Sequence, residues 1–262
     1  MKLIRQIPNL MTLCNLLCGC LGIIFALQAQ DLKVSYEEKT GIPHLYIDDS
    51  LALSCYFIFI AAVFDFFDGL VARWLKADSA MGVQLDSLAD MVSFGVFPGI
   101  ILYKLLTYAS ISHSDALQEP SALHYVALLI PAAACWRLAR FNLSAEHSGN
   151  FKGLPSPANG LFMATLPLIY HFNSAGLMNM ILNPWVLVAV CLLFSYLMIS
   201  GIPMFSFKIK SAGWKGNEIR ILFLLASVAL IGVFHVAGLA AAILLYILLS
   251  GVLSLIEESK EV

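Results

Sequence analysis

Long apolar runs separated by short polar stretches recur along the whole chain. They predict eight helices, several of which reach the length of about 20 residues that a bilayer-spanning helix needs. The approximate ranges are 8–29, 51–76, 79–108, 122–144, 158–173, 182–200, 217–235 and 237–256. Residues 30–50 are expected to form a polar external loop. The last two helices are broken only around residues 235–238, so the final apolar stretch could make one span or two.

Composition supports a membrane protein. Hydrophobic residues make up 60% of the 262 residues and charged residues 12%, and the mean hydropathy is +0.85. No soluble fold accounts well for these values. Inside a bilayer every backbone polar group must be satisfied internally, which helices achieve. We therefore expect an all-α, polytopic membrane helical bundle of about eight transmembrane helices, forming a single domain over residues 1–262.

Lysine and arginine residues are distributed unequally between the two sides of the predicted bundle. Twelve fall on the side of the amino terminus and three on the other. The twelve are Lys2, Arg5, Arg73, Lys76, Arg137, Arg140, Lys152, Lys208, Lys210, Lys215, Arg220 and Lys260, and the three are Lys33, Lys39 and Lys104. Cytoplasmic loops carry an excess of such residues. We therefore expect a multi-pass protein of the cell (inner, cytoplasmic) membrane with a cytoplasmic amino terminus.

Four carboxylates lie in or beside apolar runs within residues 65–90. Asp65 and Asp68 are near the end of one predicted helix, and Asp86 and Asp90 are near the start of the next. Residues three or four apart share a helix face, so a short link could bring the two pairs together. Such a group of oxygen donors suits Mg²⁺ or Mn²⁺, which substrate phosphates usually help to coordinate. The expected site opens to the cytoplasm.

Small and cationic residues accompany these carboxylates. Gly69, Ala72 and Gly82 would let a phosphate or nucleotide approach the backbone closely, and Arg73 could meet phosphate oxygens. Other interpretations remain open at this point. The carboxylates could be helix caps, interfacial charges or the ion path of a cation transporter, since intramembrane carboxylates often mark such paths. A structural scaffold would have no use for them.

Polar residues in the first helix lie at the same expected membrane level. Asn9, Thr12 and Asn15 occupy nearby faces of its first turns. They could cap the helix and bond to neighbouring helices. They could equally contact a ligand bound beside the carboxylates.

Three cations are candidates for binding an anionic substrate group. Arg137 and Arg140 are three residues apart on one predicted helix, and Lys152 lies in the following loop, which is rich in glycine and proline. Guanidinium groups match carboxylates and phosphates in geometry, although such residues also snorkel to lipid headgroups. The loop could be a lid, a substrate contact or a plain connector.

The region of the carboxylates resembles the signature of the CDP-alcohol phosphatidyltransferases. The pattern is D, two residues, DG, two residues, AR, eight residues, G, three residues, D, three residues, D. It is carried by Asp65, Asp68, Gly69, Ala72, Arg73, Gly82, Asp86 and Asp90. The resemblance implies an intramembrane enzyme with a six-helix core, here with two further helices, that is usually dimeric. It would transfer a group from a CDP-linked donor, release CMP and need no nucleic-acid partner.

The resemblance also implies roles for individual residues. Asp65, Asp68 and Asp86 would hold a pair of Mg²⁺ or Mn²⁺ ions, with Asp90 contributing to the second metal and acting as the general base. The residues expected along the CDP group are Gly69, Ala72, Arg73 and Gly82, together with Asn9, Thr12 and Asn15 of a first-helix segment that resembles the nucleotide side of the family.

The acceptor alcohol is suggested by three further segments. SFGVFP, RLARFN and GLPSPANG resemble the membrane-integral phosphatidylserine synthases of this family more than the shorter glycerophosphate transferases. L-serine would then attack CDP-diacylglycerol through its hydroxyl, with its carboxylate on Arg137, Arg140 or Lys152. Glycerol 3-phosphate or inositol phosphate as acceptor is the alternative with the same chemistry, and a cation transporter is the alternative from another class.

Overall fold

The computed structural model describes most of the chain as a helical bundle. The described residues are 6–29, 33–36, 43–46, 48–77, 79–113, 122–144, 152–172, 177–204 and 217–261. Within them the elements are α1 (Ile7–Gln28), β1 (Lys33–Tyr36), β2 (Pro43–Tyr46), α2 (Asp49–Leu75), α3 (Ala80–Asp90), a π-helical segment (Met91–Val96), α4 (Phe97–His113), a 3-10 segment (Ala122–Leu128), α5 (Leu129–Ser144), α6 (Ser156–His171), α7 (Met178–Ile181), α8 (Pro184–Ile199), α9 (Glu218–Phe234) and α10 (Val236–Glu261).

The predicted membrane bundle is confirmed. Among the described helices, five are long and apolar enough to cross a bilayer, and α8 is a shorter apolar helix. The five are Ile7–Gln28, Asp49–Leu75, Ala80–Ser110, Ala122–Leu143 and Val236–Ile256. Each predicted helical range has a helical counterpart. The break between the last two lies at His235, whose φ of 51° ends α9.

The expected external loop contains a β-hairpin that the hydrophobic pattern did not predict. Strands β1 and β2 pair antiparallel, with Lys33 opposite Tyr46 and Tyr36 opposite Pro43. Each strand is only four residues long. So short a segment carries too few alternating positions to be separated from a polar loop by periodicity.

The centre of the bundle is the helix that follows Asp90. Phe94, Phe97, Ile101 and Leu105 are completely buried along it. Helix α1 packs against this helix and against α2. A Cβ atom on Gly22 would overlap the Phe97 ring, so the close approach of α1 requires a residue without a side chain there.

Helices α9 and α10 form a hairpin at the carboxyl-terminal end of the chain. They pack on each other, and α10 also packs on α6. The rings of Phe223 and Tyr246 lie 6.1 Å apart between the two helices. The hairpin is thereby attached to the same helix that begins beside the predicted site.

Residues 152–155 are attached to the end of α8. Lys152 forms an isolated β-bridge with Pro203, and the Gly153 amide donates to the Ile202 carbonyl at 2.9 Å. The Leu154 amide donates to the Leu197 carbonyl at the same distance of 2.9 Å. Of the loop considered as a lid, these four residues are therefore fixed in place, and residues 145–151 lie outside the described residues.

Replacing Gly153 tests this attachment. Gly153 has a φ of +80°, and a Cβ atom there would overlap the Met198 carbonyl. We expect Gly153→Ala to destabilise the protein by about 1–3 kcal/mol, measured as a lower midpoint of thermal unfolding in detergent. Gly201→Ala is the matched control, because nothing lies within 4 Å of its added Cβ. Equal midpoints for both variants would contradict the argument.

Candidate active site

A tight turn between α2 and α3 brings the two predicted pairs of carboxylates together. Helix α2 ends at Leu75, and Lys76 directly after it has a left-handed conformation, with φ of 48° and ψ of 46°. Ser79 caps the start of α3, and its side chain accepts from the Gly82 amide at 3.0 Å. Serine is a favoured residue at this position. The end of α2 and the start of α3 therefore lie next to each other.

Three of the four carboxylates form a compact group. One oxygen from each of Asp65, Asp68 and Asp86 lies within 4.8 Å of the others. Asp68 is buried, and the other two are half-buried. Hard oxygen ligands at such separations are the donor set that Mg²⁺ and Mn²⁺ favour. The residues therefore fit a divalent cation, which would also offset the repulsion between their charges.

Asp90 adjoins this group on its inner side. The Asp65 carboxyl interacts with those of both Asp86 and Asp90. Asp90 is only 7% exposed, and it ends α3 where the π-helical segment begins. π-helical turns inside α-helices often occur at functional sites. Asp90 is thus close enough to act together with the other carboxylates and, like Asp68, is better shielded from water than Asp65 and Asp86.

Helix α1 provides hydrogen bonds to two of the carboxylates. Thr12 Oγ1 donates to Asp68 Oδ2 at 2.6 Å, and Asn15 Nδ2 donates to Asp90 Oδ1 at 3.2 Å. Both α1 residues are buried. Asn9 instead donates to Gln6 at 2.8 Å. The interhelical hydrogen bonds considered for these residues are therefore present for Thr12 and Asn15.

A cavity lies beside the carboxylate group. Its volume is about 280 Å³. It is lined by Pro8, Asn9, Thr12, Asp68, Gly69, Ala72, Arg73, Ala77, Ser79, Gly82, Val83 and Asp86. These include every residue predicted along the CDP group except Asn15. A Cβ on Gly69 would have nothing within 4 Å, so the missing side chain leaves room there for a ligand.

The three candidate acceptor-binding cations have different surroundings. Arg137 Nη1 donates to Ser156 Oγ at 2.9 Å, and the guanidinium interacts electrostatically with Asp90. Arg140 Nη1 donates to the Ile199 carbonyl at 2.8 Å, at the end of α8. Lys152 is exposed and lies in residues 152–155, which are attached to the end of α8. Of the three, Arg137 is the one whose described contacts bring it to the carboxylates.

Sequence reasoning missed two buried polar residues beside Arg137. Ser156 and Asn159 are fully buried, and they lie three residues apart on one face of α6. Asn159 Nδ2 donates to the Phe94 carbonyl at 3.3 Å. Asn159 lies within the predicted helix 158–173 and Ser156 just before it, but neither was predicted as a site residue. Helix α6 in fact starts at Ser156 with Pro157 in its first turn, where proline is tolerated.

The carboxylate group gives a direct test of cation binding. Added Mn²⁺ or Mg²⁺ should raise the thermal unfolding midpoint. At a hundredfold excess of the cation over its Kd, the free energy of unfolding should increase by about 2.7 kcal/mol. Asp86→Asn should lose this gain without lowering the midpoint in EDTA, because it removes one of three crowded like charges.

Asp49→Asn is the control for this measurement. Its carboxylate is 92% exposed and pairs with His171 at 3.6 Å, apart from the group. The control should keep the full response to the metal. A full response in Asp86→Asn would show that the cation binds elsewhere.

Comparisons with known proteins agree on one family. The model of the family "CDP-alcohol phosphatidyltransferase" matches residues 5–197. A CDP-diacylglycerol--serine O-phosphatidyltransferase of Bacillus subtilis (strain 168) is 30% identical over 204 residues, covering 78% of this chain and 92% of the relative. One of Helicobacter pylori (strain 26695) is 30% identical over 206 residues, covering 77% and 72%.

A further relative has a different name. The archaetidylserine synthase of Methanothermobacter thermautotrophicus is 32% identical over 160 residues, or 60% of each chain. The family match ends within α8, so it contains the carboxylates, the cavity and α6. Since it covers well over half of the chain, the protein described here belongs to the CDP-alcohol phosphatidyltransferase family.

Proposed function

We propose that this protein is a phosphatidylserine synthase, which transfers the phosphatidyl group from CDP-diacylglycerol to L-serine and releases CMP. The observation that carries the proposal is the group of Asp65, Asp68 and Asp86 with Asp90 beside it and a cavity of about 280 Å³ alongside. The names of the bacterial relatives support serine as the acceptor. Membership of a transferase family favours this function over a transporter or a scaffold.

The cavity is the proposed binding place for the CDP part of the donor. Gly69, Ala72 and Gly82 have small or no side chains, so a ligand can approach the backbone there. Arg73 provides a cation for phosphate oxygens. The Arg73 side chain already follows the helix, with Nε donating to the Gly69 carbonyl at 2.9 Å. Asn9 and Thr12 complete the α1 side. Asn15 belongs to the Asp90 side, because it bonds to that carboxylate.

The carboxylates are the proposed ligands of Mg²⁺ or Mn²⁺. Asp65, Asp68 and Asp86 would hold the cation, and Asp90 is near enough to contribute to a second one. A bound divalent cation supplies positive charge that offsets the pyrophosphate and its leaving group. Thr12 fixes the orientation of Asp68 by donating to Oδ2.

Asp90 is the proposed general base. The serine hydroxyl oxygen attacks the phosphorus that carries the diacylglycerol, and a new phosphorus–oxygen bond forms. The bond from that phosphorus to the CMP oxygen breaks, and CMP leaves. Asp90 takes the hydroxyl proton, as a carboxylate within reach can do. Its hydrogen bond from Asn15 and its burial hold the accepting oxygen in place.

The membrane places limits on how the substrates arrive. The diacylglycerol tails remain in the bilayer and enter between helices, while CDP and serine reach the site from the cytoplasm. The cytoplasmic orientation in the cell (inner) membrane rests on the distribution of cations along the chain. Assembly as a homodimer follows from the family resemblance and belongs to the same proposal.

Release of CMP by purified protein in detergent tests the function. CDP-diacylglycerol and Mn²⁺ or Mg²⁺ are supplied, and L-serine, glycerol 3-phosphate or inositol phosphate is added in turn. We expect release with serine. Asp90→Asn should lower kcat by about a hundredfold to ten-thousandfold, the usual contribution of a general base.

Asp49→Asn is again the matched control, since this exposed carboxylate lies at the opposite end of α2 from the group. It should retain activity. Release with a phosphorylated acceptor in place of serine would keep the chemistry and change the substrate. Folded protein without CMP release under any of these conditions would overturn the proposal.

A further inference from the structure

Three buried polar atoms around Asp90 have no hydrogen-bond partner among the described residues. They are Asn15 Oδ1, Arg137 Nε and Asn159 Oδ1. Asn15 and Asn159 are completely buried. Buried polar groups in proteins are almost always paired, and an unpaired one requires an explanation. Here one cationic donor and two neutral acceptors are left over in the same region.

The two asparagines contact the same turn of the central helix. Asn15 donates to Asp90 and accepts at its backbone carbonyl from Ser93 Oγ at 3.0 Å. Asn159 donates to the Phe94 carbonyl. A carbonyl can only accept, so the amide nitrogen of Asn159 must face it. The amide oxygens are therefore the atoms left unpaired at Asp90 and Phe94.

Arg137 joins this turn from another helix. Its Nη1 is held by Ser156, which shares a face of α6 with Asn159. Its charge interacts with Asp90. The Nε–H remains available for an anionic group.

These residues do not line the cavity proposed for CDP. Asp68 and Asp86 line the cavity, whereas Asn15 donates to Asp90 and Arg137 interacts electrostatically with it. Asp65 connects the two sides, since its carboxyl interacts with those of both Asp86 and Asp90. The unpaired atoms therefore lie around Asp90 and away from the CDP cavity. The hydroxyl of the acceptor must come to this place to lose its proton.

We propose that Asn15, Arg137 and Asn159 recognise the charged head group of an α-amino acid acceptor. Arg137 Nε–H binds the α-carboxylate, and the two amide oxygens accept from the α-ammonium. The hydroxyl is then directed to Asp90. This inference rests on the proposed function and adds to it the residues that determine which acceptor is used.

The same set of atoms disfavours a phosphorylated acceptor. A phosphate dianion requires several donors, but the unpaired atoms comprise one donor and two acceptors. Asp90 adds negative charge beside them. An ammonium group, in contrast, donates to all of the unpaired oxygens. The site therefore favours a zwitterion over glycerol 3-phosphate or inositol phosphate.

Two acceptors that each lack one charged group test the proposal in the unsubstituted protein. Ethanolamine lacks the carboxylate of serine, and 3-hydroxypropionate lacks its ammonium. CMP release should show kcat/KM at least about tenfold lower for each than for serine, as expected for loss of a hydrogen bond to a charged group. Equal use of serine and either analogue would overturn the assignment.

Two substitutions assign the preferences to residues. Arg137→Gln should reduce the preference for serine over ethanolamine by about tenfold or more, mainly through the KM for serine. Asn159→Leu should reduce the preference for serine over 3-hydroxypropionate and leave the preference over ethanolamine unchanged. If one variant does not fold, the other variant and the comparison of acceptors in the unsubstituted protein still test the proposal.

Arg140→Gln is the matched comparison for Arg137→Gln. It removes the same functional group three residues later on α5, where the guanidinium meets the Ile199 carbonyl. The preference for serine over ethanolamine should be that of the unsubstituted protein, and an equal loss would overturn the choice of Arg137. Absence of serine-dependent CMP release from the folded, unsubstituted protein would reject the proposed function together with this site. Serine-dependent release with unaltered preferences in Arg137→Gln and Asn159→Leu would reject the site alone.

Discussion

Carboxylates crowded between apolar helices are the constraint on which the rest of this structure depends. Charges in such surroundings are costly unless they are paired, hydrogen-bonded or bound to a cation. Thr12 and Asn15 supply hydrogen bonds from α1. For these two residues to reach the carboxylates, α1 must pack closely against α2 and the central helix. The glycines of α1 permit that approach.

The central helix connects the two sides of the site. Asp90 is the last residue of α3 and directly precedes the π-helical segment Met91–Val96, with which the central helix begins. The turn after Asp90 presents Ser93 to Asn15 and the Phe94 carbonyl to Asn159. Helices α1 and α6 are thus fixed relative to the proposed base by hydrogen bonds to one short segment. A change in the packing of either helix would be transmitted directly to Asp90.

The carboxyl-terminal hairpin lies outside the family match but not outside the structure of the site. Helix α10 packs on α6, and its buried Tyr246 interacts electrostatically with Arg137. Arg137 thereby lies between the carboxylates shared with the family and a helix that the match does not include. The hairpin thereby packs against the helix that carries Ser156 and Asn159.

The sequence by itself determined the membrane class, the approximate helix ranges and the grouping of the carboxylates. These are local properties, since hydrophobicity selects the spans and a spacing of three or four selects a helix face. The hairpin of β1 and β2 was missed because four residues carry little periodic information.

Only the tertiary structure decided which polar residues surround Asp90. Arg137 and Arg140 are equivalent by their spacing in the sequence, but one meets Ser156 and the other the end of α8. Asn159 lies within the predicted helix 158–173, but its hydrogen bond to the Phe94 carbonyl depends on how α6 packs. Asn15 and Asp90 are 75 residues apart in the chain. Such pairings depend on how whole helices pack, and the pattern within a single helix does not contain that information.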